Sequence, residues 1–172
     1  SDSRIVPDLL LQTSPGDLFV IRNAGNLVPA YGAGAGGTSA SVEFAVAGLQ
    51  VSDIVLCGHS DCGAMKGVLN PDGVAGLPQV AQWLKHADAS RARAEAHCAV
   101  NSSDLKLENL IEANVLSQID NLKTHPSVAA ALARGTLEIH GWVYHIGSGQ
   151  IDAYDEETRA FRPVNGQKHK SL

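Results

Sequence analysis

The sequence predicts an α/β protein, with a mostly parallel central sheet, flanking helices and an antiparallel edge strand. Three observations carry that class. Two uninterrupted apolar runs, Leu18-Phe19-Val20-Ile21 and Ile54-Val55-Leu56-Cys57, have the character of strands covered on both faces, as in a parallel sheet. Between them the stretch Gly32-Ala33-Gly34-Ala35-Gly36-Gly37 feeds a helical segment from about Thr38 to Leu49, which gives the order strand, helix, strand. Towards the end, Leu137 to Ile146 and Ile151 to Tyr154 flank the turn Ser148-Gly149, the pattern of a hairpin on a sheet edge.

The remaining elements follow in chain order. Pro7 suits the first turn of a helix, and Ser14-Pro15-Gly16-Asp17 is a turn that delivers the first apolar run. Pro78 starts a helix that places Val80, Trp83, Leu84 and Ala87 on one face. Ser103 or Asp104 can cap a long helix carrying Leu107, Leu110, Ile111, Val115, Ile119 and Leu122. Pro126 opens a short helix that Gly135 can close. The tail Gln167-Lys168-His169-Lys170 is polar. No repeat or linker divides the chain, so residues 1–172 are expected to form a single domain.

A chain of 172 residues with 44% hydrophobic and 18% charged side chains can bury a sizeable core. A net charge of -5 speaks against nucleic acid as a partner, because phosphate binding needs a concentrated basic surface. No apolar run reaches the ~20 residues that span a bilayer, so no membrane partner is expected. Cysteine is rare and odd in number, at Cys57, Cys62 and Cys98. That usage fits free or metal-bound thiols in a reducing compartment, and points to the cytoplasm.

The strongest local feature is Gly58-His59-Ser60-Asp61-Cys62-Gly63, where a buried strand ends and a helix begins. Ligand sites in open α/β sheets gather at such carboxyl ends. His59 and Cys62 stand three positions apart, so an imidazole nitrogen and a thiolate can reach one metal ion, and a helix N-terminus favours the thiolate. The plainer reading makes His59 a turn residue and Cys62 a small buried hydrophobe. Cys57 shares a strand face with His59 and is the rival thiol, although it lies about 6–7 Å further back along the strand. Cys98 reads as structural. Ser1-Asp2-Ser3-Arg4 at the start is weak alone, since an acid and a base two apart are usually a solvated pair.

Taken together and in order, Ser1-Asp2-Ser3-Arg4, then Gly16-Asp17-Leu18-Phe19-Val20-Ile21-Arg22-Asn23-Ala24-Gly25-Asn26, then Gly58 to Gly63, then Glu112-Ala113-Asn114-Val115 and His140-Gly141-Trp142-Val143-Tyr144, resemble the β-class carbonic anhydrases, in particular their plant-like branch with the bacterial enzyme of cyanate metabolism. The resemblance runs from Ser1 to about Val164. It implies zinc-dependent, reversible hydration of CO2 to bicarbonate and a proton, with a Zn2+ ion held by two cysteines, one histidine and a water. It maps His59 and Cys62 onto two of the ligands. The third, a cysteine, is expected immediately before Ser1 and is absent from this sequence, as are the family's first strand and N-terminal helices.

The resemblance also maps Asp2 and Arg4 onto the family's catalytic dyad, and Phe19, Ala24, Phe44 and Gly63 onto the substrate pocket. Phe44 stands where the plant-like enzymes usually have tyrosine. His86, His97 or external buffer would carry the released proton. A homodimer or higher homo-oligomer is implied. Two other readings remain open at this stage, namely hydrolysis of a CO2 analogue such as carbonyl sulfide or carbon disulfide, and a zinc-free scaffold homologue.

Overall fold

The computed structural model describes residues 2–33, 36–100 and 105–164. The caps expected at Ser103 or Asp104, and the polar tail, lie outside the described residues. The chain opens with the short helix α1 (Pro7–Leu11), started by Pro7 at its first position. Helix α2 (Gly37–Glu43) widens into a π-helical turn over Phe44–Gly48, so the expected helix from about Thr38 to Leu49 is present. Strand β1 (Asp53–His59) follows. Helices α3 (Gly63–Leu69), α4 (Pro78–Leu84), α5 (Asp88–Val100) and α6 (Leu107–Lys123) come next. Helix α7 (Pro126–Ala133) ends at Gly135, whose φ of 67° is one that side chains disfavour. Strands β2 (Glu138–His145), β3 (Gln150–Asp155) and β4 (Ala160–Pro163) complete the chain.

The α/β class holds, with a mixed sheet in the order β1-β2-β3-β4. β1 and β2 are parallel, with Leu56 opposite Gly141. β2–β3 is the expected hairpin and β3–β4 extends it, both antiparallel. The sheet is less parallel than the sequence suggests for a physical reason. The run Leu18-Phe19-Val20-Ile21 is not a strand. Strand geometry needs ladder partners, and among the described residues β1 is paired on the β2 side alone. Phe19, Val20 and Ile21 are exposed, as is Val55 on β1. Helix α5 and strand β4 were not separable in the sequence.

α6 is the centre of the core. Its Leu110, Val115 and Leu122 are fully buried and Ile111 nearly so. Its start differs from expectation: Lys106 is the N-cap, and its backbone N–H donates to Asn109 Oδ1 at 3.2 Å. The helix lies against the β1–β2 pair with no room to spare. A Cβ on Gly58 would come within 2.9 Å of Val115 Cγ2, and one on Gly141 within 2.9 Å of Val115 Cγ1. Two glycines on neighbouring strands thus make the seat for one β-branched side chain, whose rotamer freedom is too small to give way.

α6 also carries a buried polar seam. Gln118 Oε1 accepts the Val28 N–H at 2.8 Å, while Gln118 Nε2 donates to the His86 carbonyl at 3.1 Å and to Asn114 Oδ1 at 3.1 Å. Asn114 Nδ2 donates to the Gly25 carbonyl at 2.9 Å, and Ser90 Oγ donates to Asn114 Oδ1 at 2.9 Å. These bonds fix the loop of residues 23–28 on the helix.

Gly141→Ala is expected to destabilise the protein by about 1–3 kcal/mol, the usual cost of overpacking a filled core. Urea unfolding of the variant beside the parent measures it, and a change below ~0.5 kcal/mol would contradict the close packing described.

Candidate active site

The turn after β1 is built by side-chain and backbone bonds together. Ser60 N–H extends the β1–β2 ladder by donating to the Tyr144 carbonyl at 2.9 Å, and Ser60 Oγ accepts the Ile146 N–H at 2.9 Å. Asp61 then takes a left-handed φ of 60°, which turns the chain into α3 with Cys62 as its N-cap. His59 and Cys62 therefore end up side by side, 9% and 3% exposed.

His59 Nδ1 lies 2.8 Å from the Ser60 carbonyl oxygen and donates to it, a backbone bond that fixes the ring's tautomer and orientation. The hydrogen bond with Cys62 raises the affinity of the ring for a proton, against the opposing effect of burial. For Cys62, burial pushes the thiol up. The hydrogen bond from His59, the backbone N–H groups of Met65 and Ala64 and the charge of His59 outweigh it, and the net shift is down. This is the electropositive helix-start environment that makes a thiolate available.

Cys57 is different. Burial pushes its thiol up to about 11, and its Sγ donates to the Gly58 carbonyl at 3.3 Å. Of the two thiols close to His59 in sequence, only Cys62 is prepared to ionise. Cys98 is buried on α5.

Asp2 and Arg4 face each other across a tight turn closed by the Ile5 N–H on the Asp2 carbonyl at 3.2 Å. Arg4 Nη2 donates to Asp2 Oδ2 at 2.6 Å, and both Arg4 Nε and the Arg4 backbone N–H donate to Asp2 Oδ1 at 2.9 Å. The side-chain bonds from Arg4, followed by its backbone bond, hold the Asp2 carboxyl well below the usual carboxylate range, so it stays ionised. Arg4 Nη1 reaches on to Asp61 Oδ2 at 3.2 Å, and Asp61 also pairs with Lys66. Hydrogen bonds from Lys66 and then Arg4 depress the Asp61 carboxyl in turn. The start of the chain is thereby tied to the turn that carries Cys62, and the Asp2 charge is felt at His59.

Asp2 and His59 line one groove of about 580 Å³, whose walls are mainly apolar and include Phe19, Val55, Cys57 and Trp142. Phe44 packs its ring on Phe19, with centroids 6.0 Å apart. Ala24 and Gly63 lie outside the groove lining. The Ala24 carbonyl accepts the Trp83 indole N–H at 2.8 Å, and Gly63 begins α3. His86 packs edge-on to Trp83, and His97 sits on α5.

Sequence reasoning gave no role to Asp61, Lys66 or Arg22. They sit inside or beside quoted motifs; the bonds of Asp61 to Arg4 and of Arg22 to Asp2 span 57 and 20 residues and leave no local signal, whereas Lys66 pairs with Asp61 within the same turn and helix start. A separate group, Asp53, Glu138 and His140, stands at the opposite ends of β1 and β2. Its two carboxylates are exposed and His140 is half-buried, with a 2.9 Å His140–Asp53 pair at its centre. At the rise of a strand it is about 20 Å from His59.

The sequence profile of the family described as carbonic anhydrase matches residues 1–151. A carbonic anhydrase of Pseudomonas aeruginosa is 56% identical over 161 residues, covering 94% of this chain and 73% of the relative. Among solved structures, the β-carbonic anhydrase CcaA superposes with a TM-score of 0.88 at 44% identity, covering 95% of this chain and 80% of that one. One of two tetrameric β-carbonic anhydrases of Sordaria macrospora superposes with a TM-score of 0.75 at 34% identity, over 89% of this chain and 76% of that one.

The contrast between the two thiols yields a direct test. Cys57→Ser should keep any bound metal near its parental content and Cys62→Ser should lose most of it, because a hydroxyl does not replace a thiolate ligand. Elemental analysis of both purified variants decides, and the reverse pattern would assign the site to Cys57.

Proposed function

This chain belongs to the carbonic anhydrase family, in its β class, and we propose that it catalyses the zinc-dependent, reversible hydration of CO2 to bicarbonate and a proton. The observation that carries the proposal is the joining of two half-sites. An ionised Asp2, saturated on one oxygen by Arg4, opens onto the same groove as His59, which is bonded to an acidified Cys62. The donor set fits zinc: an imidazole anchored through Nδ1 and a thiolate are ligand types that zinc prefers. His59 and Cys62 would hold it, together with a cysteine that we place immediately before Ser1. When bound, zinc acts as a Lewis acid that makes a water molecule acidic enough to react near neutral pH.

The chain's own residues supply orientation and exclusion. An ionised carboxylate can only accept hydrogen bonds. Both Asp2 oxygens take bonds from Arg4, and Oδ2, with one donor against two on Oδ1, keeps an open lone pair. In our reading Asp2 Oδ2 accepts a hydrogen bond from the attacking oxygen and thereby aims a lone pair at CO2. Arg4 keeps Asp2 charged and in place. CO2 is small and carries no dipole, so apolar walls suit it; Phe19, with Phe44 behind it, provides one. Ala24 and Gly63 contribute by shaping the loop and helix start beside the groove. His86 or His97, or external buffer, takes the released proton onward.

The same reading gives a place to the segment we expect ahead of Ser1. Exposed Phe19, Val20 and Ile21 line the groove together with exposed Val55 of β1, and among the described residues β1 has no strand partner on its edge away from β2. A strand leading into the cysteine would bond to both and cover their side chains. The single domain is then completed by that strand and its preceding helices. The large exposed apolar area also accords with assembly into a homodimer or higher homo-oligomer. No helix among the described residues is long and apolar enough to cross a membrane, and no disulfide links the three cysteines; a cytoplasmic location accords with the latter.

Two measurements test the proposal. Asp2→Asn in the full-length, zinc-replete protein should lose well over tenfold in CO2 hydration, a barrier increase above ~1.4 kcal/mol. Stopped-flow hydration measures it, and activity within about twofold of the parent would leave Asp2 without a catalytic role. Light scattering of the active full-length enzyme should give at least a dimer, and a fully active monomer would contradict the assembly.

A further inference from the structure

We propose that Arg22 is a positioning residue for the reaction, a guanidinium clamp that fixes the Asp2 carboxylate by holding the backbone of the turn beneath it. The inference rests on the catalytic reading of Asp2 given above. Arg22 Nη2 donates to the Asp2 carbonyl at 2.6 Å, and Arg22 Nη1 donates to the Ile5 carbonyl at 2.8 Å. These two carbonyls bracket the turn on which Asp2 and Arg4 meet. Otherwise the turn's backbone is closed by one bond, the Ile5 N–H on the Asp2 carbonyl at 3.2 Å. A carbonyl oxygen has two lone pairs, so the Asp2 carbonyl accepts both the turn bond and Arg22 without competition.

The two arginines have separable tasks. Arg4 grips the Asp2 side chain and sets its charge. Arg22 grips the peptide from which that side chain departs. Spanning two carbonyls with one planar group is possible for a guanidinium and not for an ammonium. The base of the clamp is rigid. Asn23, the next residue, accepts the Leu27 N–H at 2.8 Å and donates to the Leu27 carbonyl at 2.8 Å. The loop beyond it is tied to α6 through Gly25 and Val28. Arg22 thus carries the rigidity of the core to an exposed turn near the chain start. Small displacements of a catalytic group cost much rate, so that coupling has kinetic consequences.

A double-mutant cycle with hydrogen exchange tests the clamp in the full-length, zinc-loaded protein. Arg22→Ala should retain zinc and lose about tenfold or more in kcat/KM for CO2, and the amides of residues 2–6 should exchange faster while those of β1 and α6 are unchanged. Made in the Asp2→Asn background, the same substitution should cost less than about threefold, because its effect runs through Asp2. Arg22→Lys, which keeps the charge but not the fork, should show the same pattern with a smaller loss and guards against a misfolded alanine variant. A full loss that persists in the Asp2→Asn background, unchanged exchange over residues 2–6, or kcat/KM within about twofold of the parent would each overturn the proposal. If Asp2→Asn alone is within about twofold of the parent, the catalytic reading of Asp2 fails, whereas the exchange result still decides whether Arg22 holds the turn.

Discussion

Two buried amides on α6 are the constraint on which the rest of the site depends. Gln118 and Asn114, both fully buried, spend their hydrogen bonds on the backbone of residues 25–28 and on the His86 carbonyl. A buried polar group left without a partner costs about 1–3 kcal/mol, so this seam admits few arrangements. Both amides are engaged at oxygen and at nitrogen, and they therefore specify where the loop runs. Arg22 leads into that loop and reaches the Asp2 turn. Helix, loop, arginine and carboxylate form one continuous chain of bonds from the core to the surface.

The same helix sets the other half of the site by packing. Val115 seats itself against Gly58 and Gly141, and the absence of side chains at those two positions lets α6 come down on the sheet. β1 is held at that height, so His59, the next residue, emerges at a fixed place. The left-handed Asp61 then brings Cys62 back beside it. Polar bonds and close packing from one helix thus bring Asp2 and His59 to a single groove, with Arg4 bonded to the first and Cys62 beside the second.

Electrostatics joins the halves. Asp61 sits between Arg4 and Lys66, so a cation from the start of the chain and one from α3 share a carboxylate next to Cys62. Exposed ion pairs such as these contribute little to stability. Their value here is orientation, since each bond removes a freedom from Arg4 and hence from Asp2. The acidity of Cys62 has a different origin, in the buried His59 partner and the N–H groups at the start of α3. A mainly apolar groove meets a small set of strongly polarised groups, the arrangement expected where an uncharged substrate meets a nucleophile.

What the sequence determined by itself was local. The strand ending at Gly58-His59, the helix start after Cys62, the long helix bearing Leu110, Val115 and Leu122, the helix from Pro126 and the Ser148-Gly149 hairpin are all written in short-range periodicity and turn chemistry. The identity of His59, Cys62, Asp2 and Arg4 as candidates was legible because their motifs occur in a particular order. What only the tertiary structure decided was long-range. Leu18 to Ile21 has the composition of a strand, yet strandhood is a property of pairs, and those residues have no ladder among the described residues. Cys57 and Cys62 are the same residue type five positions apart, but burial raises one thiol while His59 and a helix start lower the other. Arg22, Asp61 and Gln118 act across 20, 57 and 90 residues of chain. Periodicity has no memory over such distances, so these bonds exist only once the fold has brought their partners together.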